Sequence, residues 1–429
     1  MSKIRALSPH RLRRSFSRNE RGGVAVLFAL VALPMVVVCG GTLDYIGIEE
    51  VRGRCDAAAD AAALAAAGRS AIALTAAAAQ TQAAGVFTAD LPDKIKPVIT
   101  ASQATVTDVG TTRTVTVTYT ASVPTTFLRL IGIPTVTLTG SAAAAASLPI
   151  YMDFYLLLDN TPSMGVAATT SDIAKMVAAT PDQCAFACHD LSDSDDYYAL
   201  AKRIGVTTRI DVVRTATQQL MDTATATAAV TNQFRMAIYT FGASATAESL
   251  TTISALTSNL AAAKTAAAGI DLMTVPYQNY DGDMDTDFDG TLTALNTVIP
   301  NPGSGASASV TPQKVLLFVS DGVADAYYPS TCSQGLAGGG RCQEPLNIAT
   351  CTTIKNRGIK IAVLYTTYLA LPTNSWYMTW ISPFNAQIAA RMKSCASPGL
   401  YFEVSPSGGI SDAMNALFKS AVQGAWLTR

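Results

Sequence analysis

The sequence has few charged residues for its length. Charged residues make up 14% of the 429 positions, against about 25% in soluble globular proteins. The 30 basic and 31 acidic side chains nearly cancel, which argues against a broadly basic nucleic-acid-binding protein. Disorder needs low hydrophobicity and a high net charge, so a chain with 49% hydrophobic residues is expected to fold. The length allows two or three domains.

Histidine is scarce, and a phosphate-binding loop is missing from the sequence. A Ser-His or Cys-His hydrolase would need His189 as its base, because His10 lies in the basic N-terminal tail. The motif G-x-x-x-x-G-K-[ST] does not occur, which argues against a P-loop ATPase. We therefore expect a binding protein and not an enzyme.

The charges that are present are unevenly distributed. Residues 1–23 hold seven basic side chains and one acid, a net charge of +6, so the remaining 23 basic and 30 acidic residues sum to −7. Between these parts, Gly22 to Leu43 forms 22 positions without a charge. A helix of that length can cross a hydrocarbon core of about 30 Å. We predict a basic cytoplasmic tail at 1–23 and a transmembrane helix at 24–43. A cleaved signal peptide is the alternative.

The eight cysteines fit a location outside the cytoplasm for the bulk of the chain. An oxidising compartment permits disulfides, and sequence cannot choose among the fifteen pairings of six cysteines. A zinc site at Cys184, Cys188 and His189 is a weaker interpretation, because C-x3-C-H lacks a second ligand pair. The possible disulfide cysteines are Cys184, Cys188, Cys332, Cys342, Cys351 and Cys395.

Residues 44–149 predict a helical stalk followed by a small β region. The segment from Asp44 to about Ala84 is dominated by alanine, which favours a continuous helix with a small-residue surface for packing or a solvated stalk. Thr112–Val123 and Thr135–Ala142 alternate in polarity, as strands do.

The first 150 residues resemble the TadE/TadG-like proteins of bacterial Flp (tight-adherence) pilus systems. The resemblance is carried by RNERGGVAVLFALVALP, the Asp44-Tyr45 pair, RCDAAADAAALAAAG and TASVPTTFLRLIGI, in that order. Pilin-like relatives carry a Glu where Leu27 and Phe28 stand here, which favours a permanent anchor. The resemblance implies a single-pass protein of the bacterial inner membrane, with its N-terminus in the cytoplasm and its bulk periplasmic or extracytoplasmic.

Residues 150–429 predict an α/β domain. Five apolar runs, DFYLLLD, FRMAIYTF, KVLLFVSD, IKIAVLY and LYFEVS, are typical of buried strands. Helical patterns at about 209–225, 287–299, 383–393 and 410–423 can cover both faces of a mostly parallel sheet. Polar loop insertions are expected near 165–205 and 324–346, where they would form the rim of a binding face.

Two of the predicted strands end in acids. Asp159 begins a D-x-T-x-S array with Thr161 and Ser163, and Asp321 follows the strand VLLFVS. Ligands of open α/β sheets bind beyond the carboxyl ends of strands. One carboxylate with two hydroxyls suits Mg²⁺, which prefers oxygen ligands and few carboxylates. Ca²⁺ or Mn²⁺ are alternatives.

This half of the chain resembles a von Willebrand factor type A (vWA) domain. Asp159, Thr161 and Ser163 match the D-x-S-x-S of the metal-ion-dependent adhesion site, with Thr in place of the first Ser. The resemblance implies Asp321 as the later acid and Thr286 as the family's threonine, with Thr291 as the second choice. Thr286 also suits the N-cap position of a helix.

The acidic run NYDGDMDTDFDG imitates the start of a calcium-binding EF-hand. Position twelve of that loop would be Asn296, where a bidentate Glu is required, so an EF-hand is not expected. Binding of Ca²⁺ by the aspartates of this run, without an EF-hand, is a weaker alternative.

These patterns together predict a membrane-anchored binding module, and the resemblance implies that it works in Flp pilus assembly. A divalent ion would engage a protein partner that donates an acidic side chain, and no nucleic-acid partner is expected. A pilus-assembly or envelope component is the partner that the resemblance implies. The alternatives are a metal-dependent phosphoester hydrolase and a structural pilin-like subunit.

Overall fold

The structure is a computed structural model that describes residues 21–308, 311–328, 330–368, 370, 375–405 and 409–424. These residues divide into two units, within Met1–Ala146 and Ser147–Arg429. Most of the predicted cytoplasmic tail, residues 1–20, lies outside the described part of the chain.

The first unit begins with one long helix, α1 (Arg21–Ala67). It joins the uncharged stretch to the alanine-rich segment without a break, as the sequence predicts. Among the described residues, one helix, Gly23–Ala67, is long and apolar enough to cross a membrane. Large apolar side chains in its first part, such as Phe28 and Met35, are exposed. A helix of this kind fits a single-pass membrane anchor.

The long helix stops earlier than the end of the alanine-rich segment near Ala84. It ends at Ala67, and a second helix, α2 (Ala76–Asp90), follows after a short turn. The buried Arg113 donates to the Ala71 carbonyl at 2.7 Å and to the Leu74 carbonyl at 2.8 Å. Because Arg113 binds two backbone carbonyls between the two α-helices, it stabilises this break despite the alanine content.

A three-stranded sheet completes the first unit. Its strands are β1 (Ile99–Val109), β2 (Thr112–Pro124) and β3 (Thr135–Ser147), in the order β1-β2-β3. The sequence predicted β2 and β3 but not β1. Buried residues of β2 share a core with alanines of α1, so the small-residue surface of the helix packs inside its own unit.

The second unit is an α/β domain. Its strands are β4 (Met152–Leu158), β5 (Phe234–Thr240), β6 (Thr251–Thr257), β7 (Gln313–Ser320), β8 (Val323–Tyr327), β9 (Leu336–Ala337), β10 (Arg341–Pro345), β11 (Lys360–Thr366) and β12 (Tyr401–Val404). Its helices are α3 (Thr170–Ala179), α4 (Tyr197–Arg203), α5 (Arg209–Thr227), α6 (Leu260–Ala267), α7 (Phe288–Val298), α8 (Ile348–Asn356), α9 (Asn385–Cys395) and α10 (Ile410–Gly424).

Six strands form the main sheet in the order β12-β11-β7-β4-β5-β6. The pairings of β4, β5, β7, β11 and β12 are parallel, and β6 pairs antiparallel with β5 at one edge. The five parallel strands are those predicted from the apolar runs, whereas β6 was not predicted. The four predicted helices are present as α5, α7, α9 and α10. The expected mostly parallel α/β sheet is confirmed.

Helices cover both faces of this sheet, as the apolar strands require. On the central strand, Phe154, Leu156 and Leu158 belong to one core cluster, which also contains residues of α5 and α10. Tyr155 and Leu157 point to the other face and join a cluster with α7, α8 and α9. Successive side chains of β4 thus pack alternately against the helices on the two faces of the sheet.

The regions of the two expected insertions carry small elements of their own. Helices α3 and α4 lie between β4 and α5. A separate three-stranded sheet, in the order β8-β10-β9, occupies the region that follows β7. Residues from both regions line the cleft described next.

Candidate functional site

The two predicted acids follow neighbouring strands. Asp159 comes directly after β4 and Asp321 directly after β7, and these strands are paired in parallel with Leu158 opposite Val319. The Asp159 N–H donates to the Val319 carbonyl at 2.9 Å. The sheet therefore brings both carboxylates to the same edge, as strand order predicts.

Asp159 is fully buried and held on both of its oxygens. Its Oδ1 accepts from the Thr161 N–H at 3.1 Å and from the Thr161 hydroxyl at 2.7 Å. Its Oδ2 accepts from the Ser320 hydroxyl at 2.6 Å. Burial raises the pKa of Asp159, and the hydrogen bonds from Ser320 and Thr161 act in the opposite direction. The carboxylate is thus fixed in one orientation.

The hydroxyls of the D-x-T-x-S array lie side by side. The Thr161 and Ser163 oxygens are 3.4 Å apart, and Thr161 is buried whereas Ser163 is half-buried. The chain turns here through a short 3₁₀ helix, Pro162–Gly165. This turn points Ser163 into a cleft and keeps Thr161 against Asp159.

Asp321 faces a buried arginine. The Arg209 Nη1 lies 3.5 Å from Asp321 Oδ2, and each side chain is 1% exposed. Arg209 also donates through Nη2 to the Thr367 carbonyl at 3.3 Å. Burial raises the pKa of Asp321, the negative charge of Asp159 raises it further, and Arg209 opposes both effects. The three side chains therefore form one electrostatic group.

The donor set of this group fits a divalent cation. Asp321 Oδ1 is buried and has no hydrogen-bond partner among the described residues. Two ionised carboxylates beside one guanidinium leave one formal negative charge, and a buried charge needs compensation. Carboxylate and hydroxyl oxygens are the ligands that Mg²⁺ and Ca²⁺ prefer. Asp159, Thr161, Ser163 and Asp321 are brought together, as predicted.

Thr286 lines the same cleft, but it does not occupy the helix N-cap position that the sequence suggested. It lines the cleft with Ser163, and its backbone pairs with Asp325 in both directions. The N-cap of α7 is Asp287 and not Thr286, because the Asp287 carboxylate accepts from the Gly290 N–H at 2.8 Å. The second choice, Thr291, is buried within α7 and lines a separate cavity.

The cleft beside these residues has a volume of about 360 Å³. Loop residues of the first insertion region and hairpin residues of the second contribute to its wall. Its polar and aromatic lining includes Ser163, Cys184, Cys188, His189, Asp283, Asp285, Thr286, Asp325, Arg341, Gln343, Tyr368, Trp376 and Tyr377.

The cleft wall carries more acid than base. Arg341 forms two hydrogen bonds with Asp325, at 2.8 and 2.6 Å, and lies over the Trp376 ring at 4.6 Å. Asp285 is 4% exposed, and burial together with Asp283 and Asp325 raises its pKa to about 7. This composition favours a cation or a basic group near the cleft.

Four of the six predicted cysteines form two disulfides. The bonds join Cys332 to Cys342 and Cys351 to Cys395. Disulfides agree with a location outside the cytoplasm.

Cys184 and Cys188 carry free thiols in the structure. They line the cleft with His189, whose Nδ1 lies 3.0 Å from Asp196 Oδ2. Burial raises the pKa of the Cys188 thiol to about 12. Within the described ranges, the one close group of three potential metal-ligating side chains is Cys332, Cys342 and Glu344, where the two sulfurs are bonded to each other. Geometry therefore does not favour the zinc interpretation.

The acidic run does not form an EF-hand loop. Helix α7 begins at Phe288, inside the twelve-residue stretch that would start at Asp285. Asn296, at position twelve, lies in that helix and accepts from Arg357 at 2.6 Å. The expectation that this motif is not an EF-hand agrees with the structure.

Sequence reasoning missed Arg209. It is the first residue of α5, where a basic side chain opposes the helix dipole, and a capping box of Thr208 and Asp211 supports the helix start. An arginine at a predicted helix N-terminus is the one signal that could have drawn attention to it. Its partner Asp321 is too distant in sequence for a local pattern to connect them.

Comparisons with known proteins give a match for part of the first unit. Residues 22–69 match the family model described as putative Flp pilus-assembly TadE/G-like. None of the curated proteins compared with the chain matches it.

Two solved structures are similar to the chain at low identity. The vWF domain of the type V pili tip protein Mfa5 from Porphyromonas gingivalis is 11% identical, with a TM-score of 0.38, over 66% of this chain and 98% of that chain. Proximal thread matrix protein 1 from the mussel byssus is 10% identical, with a TM-score of 0.33, over 64% of this chain and 48% of that chain. Residues 22–69 are thus similar to the TadE/G-like proteins of Flp pilus assembly, and the second unit is a mostly parallel α/β domain.

Proposed function

We propose that this protein is a membrane-anchored binding module of Flp pilus assembly, whose second unit engages a protein partner through a divalent cation. The observation that carries the proposal is the pair of buried acids, Asp159 and Asp321, at adjacent strand ends beside an open cleft. The TadE/G-like match at residues 22–69 supports the pilus assignment.

The proposed ion ligands are Asp159, Thr161, Ser163, Thr286 and Asp321, directly or through water. When bound, the ion supplies an open coordination position that a partner's Asp or Glu fills. The chain's own residues orient the site: Ser320 and Thr161 hold Asp159, and Arg209 holds Asp321. The role is binding and not catalysis.

The proposed location is the bacterial inner membrane. The basic tail at 1–23 would remain in the cytoplasm, since positive residues flank the cytoplasmic end of a span. The second unit would then face the periplasm or the exterior, where the two disulfides are stable.

Thermal melting of the full chain in detergent tests whether the second unit binds a divalent cation. We expect Mg²⁺, Mn²⁺ or Ca²⁺ to raise the melting temperature relative to EDTA, and Asp159→Ala to abolish the shift. Asp222→Ala, which removes an exposed acid of α5, is the matched control and should keep the shift. The absence of any metal-dependent shift in the wild-type chain would rule out the ion.

Capture of envelope proteins tests whether the chain binds a protein partner in a metal-dependent way. Wild type and Asp159→Ala are compared as baits, each in Mg²⁺ and in EDTA. We expect a partner that is retained only by wild type with Mg²⁺. Turnover of a generic phosphoester that disappears in Asp159→Ala would instead favour the hydrolase alternative.

A further inference from the structure

A short loop of the first unit packs against the end of the apolar span. This loop, residues 125–133, connects β2 to β3 and contains the 3₁₀ turn Leu128–Ile131. A Cβ on Gly40 would overlap the Phe127 ring, and one on Gly41 would lie 3.2 Å from Leu128 Cδ2. The two glycines therefore let the loop approach the helix backbone within the last turns of the uncharged stretch.

Asp44 holds the loop at this level of the helix. Its carboxylate accepts from the backbone N–H groups of Thr126 at 2.9 Å, Phe127 at 2.8 Å and Leu128 at 2.7 Å. These donors would otherwise be unpaired at the start of the 3₁₀ turn, and hydrogen bonds to a carboxylate are strong. Asp44 is also the first charged residue after the span. The loop is thus fixed at the point where the apolar stretch ends.

The loop presents large apolar side chains that the first unit does not cover. Leu130 is 61% exposed, Ile131 55% and Ile133 43%. On the adjoining part of α1, Leu43 and Tyr45 are exposed to a similar extent. Exposed apolar surface beside a span is expected where lipid is the solvent.

We propose that residues 125–133 form a second membrane contact, in which Leu130, Ile131 and Ile133 insert into the leaflet on the C-terminal side of the span. The occupant is lipid because the loop continues the exposed apolar surface of α1. The exposed Arg129 lies on the same turn, where its long side chain reaches the headgroup phosphates. This inference rests on the proposed transmembrane anchor.

Lipid quenching of tryptophan fluorescence tests the contact in the full chain. The chain is reconstituted into phospholipid vesicles, with or without lipids brominated near the headgroup. Leu130→Trp and Ile131→Trp report on the loop, measured as differences from the parent chain with its three tryptophans. Phe28→Trp, on the exposed surface of the span, is the positive control.

Val109→Trp is the matched aqueous control. Val109 is 71% exposed and is the last residue of β1, directly before the turn to β2. That turn is at the opposite end of β2, whose 13 residues extend about 40 Å at roughly 3.3 Å per residue. A tryptophan there should remain in water.

We expect the loop tryptophans to emit at shorter wavelength than Val109→Trp and to lose intensity with brominated lipid. Quenching of Phe28→Trp without quenching at 130 and 131 would overturn this inference while leaving the anchor intact. A blue shift at 130 or 131 without lipid quenching would overturn it as well, because a protein surface would then cover the loop. Absence of quenching at Phe28→Trp would overturn the anchor itself.

Discussion

The Arg209 guanidinium lies 3.5 Å from the Asp321 carboxylate, in a position where both side chains are 1% exposed. Asp159, the other buried acid of this group, raises the pKa of Asp321, so the two carboxylates oppose each other's ionisation. Arg209 supplies part of the positive charge that they need. A cation bound at this edge of the sheet would share that role with the arginine.

Substitution of Arg209 should make stability depend more strongly on metal. Arg209→Met keeps an apolar side chain in the buried position but leaves two acids without their counter-charge. In EDTA we expect a loss of about 3–5 kcal/mol in the free energy of unfolding, as for a broken buried ion pair. Mg²⁺ should recover more stability in this variant than in wild type, measured by denaturant melts of the full chain in detergent.

Arg203→Met is the control for Arg209→Met. Arg203 pairs with Asp195 on the surface, with both side chains more than half exposed, so its loss should change stability by about 0–1 kcal/mol. It should leave the response to Mg²⁺ unchanged. An Arg209→Met protein as stable as wild type in EDTA would contradict the charge-balance argument.

A second buried ion pair lies at the start of the central strand. Asp153 is fully buried and accepts two hydrogen bonds from Arg235, at 2.6 and 2.7 Å, and one from Lys314. Asp153→Ala should lower the free energy of unfolding by about 3–5 kcal/mol, because the buried Lys314 would lose its partner. Urea melts measure this. Asp222→Ala, which breaks the exposed pair with Lys264, should change it by less than about 1 kcal/mol.

Glu248 should make the protein less stable at alkaline pH. Burial raises its pKa from 4.5 to about 8, and the nearby Asp285 and Asp287 act in the same direction. The unfolded chain releases this proton near pH 4.5, whereas the folded protein keeps it until about pH 8. Stability therefore falls as pH rises through that window.

Glu248→Gln should remove this contribution, because the amide stays neutral. We expect the variant to match wild type below pH 4.5 and to be more stable than wild type above pH 8. Denaturant melts in EDTA across the window measure the difference. Asp222→Asn removes one exposed acid and controls for net charge; identical profiles for Glu248→Gln and wild type would refute the assignment.

The two disulfides should stabilise the second unit unequally. Cys351–Cys395 closes 44 residues and Cys332–Cys342 closes 10. The chain-entropy model gives about 4 kcal/mol for the longer loop and about 3 kcal/mol for the shorter. Paired Cys→Ala variants, compared by denaturant melts under oxidising conditions, measure both. The control is the Cys184→Ala/Cys188→Ala double variant, which removes two free thiols and should not lower the free energy of unfolding in this way. A greater loss of stability without Cys332–Cys342 than without Cys351–Cys395 would contradict the chain-entropy model.

The parallel strands could be predicted because their sequences are continuously apolar. VLLFVS in β7 is buried on both faces, so nearly all of its residues are apolar and the segment is easily identified as a buried strand. The edge strand β6 reads TTISALT and has half-buried and exposed residues but no fully buried one. Its composition does not separate a strand from a polar loop, and pairing with β5 decides its structure. The same reason applies to β1 in the first unit, where most of ITASQATVTDV is exposed.

In the candidate site, too, some residues could be predicted from the sequence and others could not. Asp159, Thr161 and Ser163 are neighbours in sequence, and the parallel pairing of β4 with β7 adds Asp321. Strand order alone therefore predicts this part. Arg209 reaches the site only because the inserted segment between β4 and α5 folds back to place the start of that helix beside β7, which a local pattern cannot reveal.

The uninterrupted course of α1 has a mechanical consequence for the first unit. The helix runs from the apolar span to Ala67, and its outer part packs on β2. Rotation of the span about its own axis would therefore turn the three-stranded sheet with it. Pro34, which removes a backbone hydrogen bond, lies within the span. Force applied to the first unit would thus be transmitted as torque and tilt into the bilayer, with bending concentrated below the membrane surface.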